Sequence, residues 1–345
     1  MRGNILMKDM FFNIKKKKKY FDIVFRFWMN SKSKKHLFLL GTPLHGNVGD
    51  LAIAQAEVEL MERKGYKVCE MPSPNIKKYM KLLKRTIKGD KIYIHGGGFI
   101  GTLWPEEEAM FERLLEEFHN NKIIVLPQTI YFEKKDERLE QLNRILGKCK
   151  DITICAREKF SYDFACENFK SAKILLVPDM VLGMNIKSFN KIRQNRILFC
   201  MREDVEKNIS DDNILKLKEG INNIYPDYTI DFKDTVLGGY VLPEDRRNAI
   251  DNMCEEFAKS CIVITDRLHG MVLSAMTNAT TFVLSNNNYK VEGLYNWINN
   301  NQYIHYCKDI DEILMELSME QDECNNCFDD SLFRKDYRNI EKLID

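Results

Sequence analysis

From residue 37 onward, short runs of apolar residues alternate with longer stretches in which apolar positions recur every three or four residues. The first pattern predicts strands buried on both faces, and the second predicts amphipathic helices. Strands are expected at 37–41, 66–71, 91–96, 122–127, 152–157 and 174–178, with helices at 50–64, 76–87 and 106–119 and others between the later strands. Gly65 suits the left-handed stop of the first helix. After the polar stretch 187–195 the alternation restarts. Strands are expected at 196–202, 229–232, 261–265 and 280–285, and helices at 211–224, 243–260, 270–276 and through Trp297, the second of these opening on Pro243.

Continuous apolar strands separated by helices of this length imply parallel sheets covered on both faces. The chain therefore reads as an α/β protein with two Rossmann-like doubly wound domains in tandem, 37–188 and 189–345, behind a basic N-terminal extension, 1–36. The last stretch, 329–345, reads as a helix that packs back across the domain junction. Ligands of doubly wound sheets bind beyond the carboxyl ends of the strands, which makes the cleft between the two domains the expected site.

Composition narrows the class. A chain of 345 residues suits two domains, and 44% hydrophobic with 30% charged residues is ordinary for a globular protein. Lys+Arg of 52 against Asp+Glu of 51 leaves no basic excess for a nucleic-acid partner. The ten cysteines are scattered, and several lie inside apolar runs, such as Cys155 and Cys200. Buried free thiols of that kind fit a reducing, cytoplasmic setting. Cys324 and Cys327 have the spacing of a metal pair, but no second such pair accompanies them, so they read as ordinary thiols in a C-terminal loop and no metal is expected. No apolar stretch reaches the roughly 18–20 residues of a membrane span. The run Lys15–Lys19 followed by the aromatic-rich stretch 20–29 leaves two readings open: a basic amphipathic helix in peripheral contact with an anionic membrane, or an N-terminal helix packed on the body.

Three segments at expected strand ends carry candidate chemistry. Gly41-Thr42-Pro43-Leu44-His45-Gly46-Asn47-Val48-Gly49-Asp50 joins a strand to a helix; its glycines allow close approach of a ligand, and free amides at the helix start suit an anion. It lacks the Gly-Lys-Ser/Thr of a nucleotide-binding loop, and Asp50 is expected to cap the helix and compete for those amides. His95-Gly96-Gly97-Gly98-Phe99 carries three adjacent glycines, whose entropic cost points to close backbone approach by a ligand or the opposite domain. His95 itself reads as a packed strand-end residue. Thr265-Asp266-Arg267-Leu268-His269-Gly270 sets a guanidinium fork, suited to carboxylate or phosphate, two residues from a group that titrates near neutrality. The plainer reading is a surface arginine with a capping histidine.

Together these segments resemble the polysaccharide pyruvyl transferase family. The resemblance rests on Gly46-Asn47-Val48-Gly49-Asp50 with Ala52-Ile53, glycines 96 to 98, Pro127-Gln128-Thr129, Ala156-Arg157-Glu158 with Ser161, Pro178-Asp179, Met201-Arg202-Glu203-Asp204, and Arg267-Leu268-His269-Gly270. It covers roughly residues 37–300 in order. It implies a GT-B-like architecture and transfer of the enolpyruvyl group of phosphoenolpyruvate onto two hydroxyls of a saccharide acceptor, with no cofactor. On that reading Arg267 and His269 are catalytic, and Arg202, Leu268, Gly270, Asn47, Gly49, Asp50, Gly97, Gly98 and Arg157 contact substrate. Glu203 and Asp204 read as solvated carboxylates beside Arg202. The acceptor pocket is expected near 238–242 and Leu103-Trp104. A glycosyltransferase with a nucleotide-sugar donor is the alternative that the architecture leaves open.

Overall fold

The computed structural model describes residues 20–134, 137–187, 189, 193–203, 209–285, 289–319 and 326–345. The lysine run 15–19, Asp204 and Cys324 lie outside them.

Helix α1 (20–30) precedes strand β1 (His36–Thr42), which leads through the short β2 (His45–Asn47) into α2 (Val48–Arg63). The chain continues through β3 (Lys67–Pro72), α3 (Ser73–Thr86), β4 (Ile92–Ile94), β5 (Gly97–Gly101), α4 (Pro105–Phe118), β6 (Lys122–Tyr131), α5 (Glu137–Leu146), β7 (Asp151–Ala156), α6 (Lys159–Asn168) and β8 (Lys173–Leu176) to a 3-10 turn at Met180–Gly183. The second unit runs β9 (Gln194–Cys200), α7 (Asp211–Ile224), β10 (Thr229–Phe232), β11 (Val236–Tyr240), α8 (Arg246–Lys259), β12 (Ser260–Thr265), α9 (Leu268–Met276), β13 (Thr280–Leu284), α10 (Lys290–Tyr295), β14 (Ile304–Cys307), α11 (Ile310–Met319) and α12 (Ser331–Leu343).

Two parallel sheets result, one on each side of the chain's midpoint, in the GT-B-like manner. The first has order β3-β1-β4-β6-β7-β8 with β5 added beside β6, and the second has order β10-β9-β12-β13-β14. In each, the strand order reverses once, between β1 and β4 and between β9 and β12. The carboxyl ends of those strand pairs are where doubly wound sheets bind ligands. The glycine-rich segments follow β1 and β4; Arg202 follows β9, and the Asp266–Gly270 segment follows β12.

Several details differ from the sequence reading. Helix α2 starts at Val48, so Asn47 caps it by accepting from the Gly49 amide at 3.0 Å, and Asp50 falls in the first turn instead. Helix α8 starts at Arg246, and Pro243 sits in the turn before it. The glycine run leads directly into β5, which pairs with β6. β2 and β11 form an antiparallel ribbon that ties the two units together, with Tyr240 opposite His45.

The apolar core is continuous between the units. Leu39 and Ile53 of the first unit share a cluster with Met253, Phe257 and Leu273 of the second, along the faces where α2 meets α8 and α9. The ion pairs Arg246–Glu70 and Arg247–Glu59 cross the same junction. Helix α12 returns to the first unit, where the Tyr337 hydroxyl donates to the Met180 carbonyl at 3.2 Å and the Tyr93 hydroxyl donates to the Leu343 carbonyl at 2.6 Å.

Candidate active site

The two switch points face one another across a cavity of about 560 Å³. Its wall is built from the segment after β1, the glycines after β4, the residues following β7, β9 and β12, and the β11 strand. Asn47, Asp50, Gly97, Gly98, Arg157, Arg202, Arg267, Leu268 and His269 all line it, so most of the residues singled out from sequence converge. Gly49 and Gly270 stand behind the wall. A Cβ at Gly49 would come within 2.5 Å of the His269 Nδ1, and one at Gly270 within 2.4 Å of the Thr265 hydroxyl. Both glycines shape the site by admitting a neighbouring side chain. Glu203 is exposed and lies off the cavity lining.

Cations dominate the wall. Arg157, Arg202, Arg267 and Lys290, with His45, His95 and His269, face Asp50 and Glu107. The last of the four, Lys290 at the start of α10, belongs to no motif in the sequence, and nothing local marked it. It is buried, and its Cε lies 4.0 Å from where a Gly98 Cβ would stand.

Acidic side chains stand beside the arginines of the second unit. Arg267 pairs with Asp234: Nη2 donates to Oδ2 at 2.8 Å, and Nε lies 2.6 Å from Oδ1. Asp234, in the turn before β11, escaped the sequence reading because its partner lies 33 residues away. The Arg202 amide donates to Asp266 Oδ1 at 2.9 Å, while Oδ2 of the same carboxyl is buried without a hydrogen-bond partner among the described residues. Burial pushes the Asp266 carboxyl up to about 6, only partly offset by the Arg202 amide and the charges of Arg202 and Arg267.

In the first unit, the ends of β6, β7 and β8 build one buried network. Arg157 donates from Nε to the Thr129 hydroxyl at 2.9 Å and from Nη1 to Asp179 Oδ2 at 2.7 Å. Thr129 and Ser161 both donate to Glu158, and Ser161 also accepts from the Ile130 amide at 2.7 Å. The indole of Trp297 in the second unit donates to the Arg157 carbonyl at 2.8 Å. Arg157 is thus fixed on every side, with Nη2 directed at Gly98, where an added Cβ would lie 3.3 Å away.

Asp179 is the residue that the sequence contained but did not single out; it was visible only as half of Pro178-Asp179. Its Oδ2 lies 3.6 Å from His269 Nε2, an ion-pair distance longer than a hydrogen bond, and Nε2 has no hydrogen-bond partner among the described residues. Burial alone would raise the Asp179 carboxyl. The adjacent His269 and Arg157 outweigh it and hold the group well below the usual carboxylate range. His269 therefore sits against Gly49 on one side and faces the Asp179 carboxyl on the other. His95, expected to be a packed strand-end residue, is buried and pairs through Nδ1 with Glu57 at 2.8 Å; the same carboxylate accepts from the Gly96 amide at 2.7 Å.

Glu158 yields a pH test. Burial raises its carboxyl to about 6 from an ordinary 4.5, against the lowering effects of Arg157, Ser161, Thr129 and Lys290. A raised carboxyl favours the fold while it is protonated and loses that contribution as pH rises through its folded value. Urea midpoints of wild type and Glu158→Gln should therefore diverge between about pH 4.5 and pH 7, wild type gaining on the order of 2 kcal/mol relative to the variant as pH falls. Parallel curves would contradict this burial of Glu158 charge.

The model of one family, polysaccharide pyruvyl transferase, matches residues 47–288. The chain belongs to the polysaccharide pyruvyl transferase family. The matched span runs from the cap of α2 to just before Lys290 and contains the cavity residues named above from Asn47 to His269. General stress protein 30 of Bacillus subtilis is 30% identical over 81% of this chain and 83% of its own length. Pyruvyl transferase 1 of Schizosaccharomyces pombe is 27% identical over 73% of this chain and 66% of its own. Among solved structures, protein KP1_0663 of Klebsiella pneumoniae aligns with a TM-score of 0.57 at 20% identity, covering 82% of this chain and 97% of that one. That likeness speaks for the fold only. Family membership makes this a transferase-type protein, and the buried Arg157–Asp179–His269 constellation belongs to its matched region.

Proposed function

We propose that this member of the family transfers the enolpyruvyl group of phosphoenolpyruvate onto two hydroxyls of a cell-surface or exopolysaccharide precursor, forming a pyruvate ketal. The observation that carries the reading is the convergence of four cations and His269, backed by the buried Asp179, on one cavity at both switch points. Phosphoenolpyruvate bears a carboxylate and a phosphate, about three negative charges together. A near-neutral protein binds such a donor only by concentrating cations locally, as this wall does.

In the proposed reaction His269, facing the Asp179 anion, donates a proton to the donor's methylene carbon, and the adjacent carbon becomes electrophilic. One acceptor hydroxyl adds there and loses its proton, which restores His269. The second hydroxyl then displaces phosphate, and its proton leaves with the phosphate. The balance is one phosphoenolpyruvate and one diol giving one ketal and one phosphate. Arg267 and Arg202, from the second sheet, take the two anionic groups of the donor, and Arg157 with Lys290 supplies charge from the opposite side. The half-exposed Trp104 and the exposed Tyr240 stand at the cavity wall as sugar-stacking surfaces. The free thiols and the metabolic origin of the donor support a cytoplasmic setting.

Arg267→Lys should raise the KM for phosphoenolpyruvate about tenfold or more, because a point charge cannot replace a fork that spans Asp234 and a second anion. An unchanged KM would remove Arg267 from donor binding. The reading as a whole is tested by incubating the protein with phosphoenolpyruvate and a panel of free and lipid-linked saccharides. Saccharide-dependent phosphate release supports it; nucleotide release from a sugar nucleotide, with none from phosphoenolpyruvate, sinks it.

A further inference from the structure

Helix α1 presents two unlike apolar faces. On the inner face Ile23 and Phe27 are buried: Ile23 joins Leu44 and Leu242, and Phe27 packs on Phe38 of β1. The outer face repeats at helical spacing: Phe21, Phe25, Trp28 and Met29 are 64%, 51%, 42% and 48% exposed. Phe21 stacks on Phe25 at 6.2 Å, and Phe25 adjoins Trp28 at 6.3 Å, so the stripe is continuous. A globular body that merely needed its first helix packed would have no use for three solvent-facing aromatic rings.

The charge around the stripe is one-sided. Residues 15–35 contain nine Lys and Arg and a single Asp, in a chain whose overall formal charge is only +1. Five of the nine immediately precede α1, and Lys32, Lys34 and Lys35 follow it. Lys32 Nζ lies 5.2 Å from the Trp28 ring, at the end of the stripe itself. Aromatic side chains flanked by lysines have the chemistry of a segment that lies in the headgroup region of an anionic bilayer. A second copy of the same chain would set these lysines against their own kind.

We propose that α1 docks this protein on an anionic lipid surface, its outer stripe entering the interface and the basic sequence around it drawing it to anionic headgroups. Helix α1 also adjoins the cleft. Leu44, which packs on Ile23, lines the cavity, and Tyr20 packs against the same small apolar cluster. Docking through α1 brings that rim beside the bilayer.

The test is sedimentation of the full chain with phosphatidylcholine vesicles, with and without about one-third phosphatidylserine. Binding should be about tenfold or more stronger to the anionic vesicles and should fall steeply with added salt. The pair Phe25→Ser and Trp28→Ser should abolish it while leaving phosphate release in solution unchanged, a readout that separates this proposal from the fate of the proposed reaction. Lys32→Glu with Lys34→Glu is a second variant that leaves the apolar packing intact and should weaken binding without altering the fold. Equal binding to both vesicle types, no binding to either, or full binding by the serine variant would overturn the proposal. So would a salt-insensitive dimer that the serine substitutions dissociate.

Discussion

Replacing His269 by glutamine is expected to lower turnover by about 10²–10⁴-fold while phosphoenolpyruvate affinity stays within a few-fold of wild type. Glutamine keeps a polar side chain of similar reach against Gly49 but carries no titratable proton. In the proposed reaction the donor's charge would be met by Arg157, Arg202, Arg267 and Lys290, of which Arg157 is held by Asp179 and Arg267 by Asp234. Chemistry and binding should therefore separate. His269 stands in the first turn of α9, with the Asp179 carboxylate 3.6 Å from its Nε2. Single-turnover measurement of phosphate release with saturating donor is the check. Turnover within threefold of wild type would take the acid role away from His269.

Asp179→Asn should act on stability and turnover together. The substitution keeps the shape of the side chain and its cap on the turn at Met180–Gly183 but removes the charge that faces Arg157 at 2.7 Å. Leaving a buried guanidinium without its anion costs about 3–5 kcal/mol. Glu158, 3.7 Å from Arg157, should keep the loss near the lower end. Because the Asp179 carboxyl is depressed in the fold, its contribution is present above the ordinary unfolded value of about 3.9 and disappears only as pH falls through the lower folded one. The gap between wild type and variant should accordingly be full at neutral pH and close only under strongly acid conditions. Urea unfolding at pH 7 and near pH 3 measures it; a neutral-pH difference below about 1 kcal/mol would mean that Arg157 finds another partner.

Much of this site was legible because its residues follow apolar strands. A glycine run after β4 and a guanidinium next to a histidine after β12 are conspicuous against continuous Ile, Val and Leu, and their position past strand ends points to the cleft. The parts that were not legible depend on pairing across distance. The β2–β11 ribbon joins His45-Gly46-Asn47 to a strand containing two glycines, and neither half has a period of its own. Asp234 and Lys290 acquire meaning only when folding sets them beside Arg267 and Gly98. Asp179 follows a half-buried strand and a proline, a context that reads as an ordinary turn until Arg157 and His269 are seen to share it. The cap of α2 shifted from Asp50 to Asn47 for a local reason: the ribbon positions Val48, whose amide donates to the Thr235 carbonyl at 2.9 Å, and the helix begins there.

The central claim is that a proton from the enzyme reaches the methylene carbon of the donor and that the same carbon skeleton ends as a ketal on a saccharide. Running the reaction in deuterium oxide and examining the product by mass spectrometry and proton NMR tests both halves at once. The account predicts a ketal whose methyl group carries a single deuterium, formed in step with phosphate release and absent when phosphoenolpyruvate is omitted. A ketal methyl without solvent deuterium, or phosphate released with no gain on the saccharide, would contradict it.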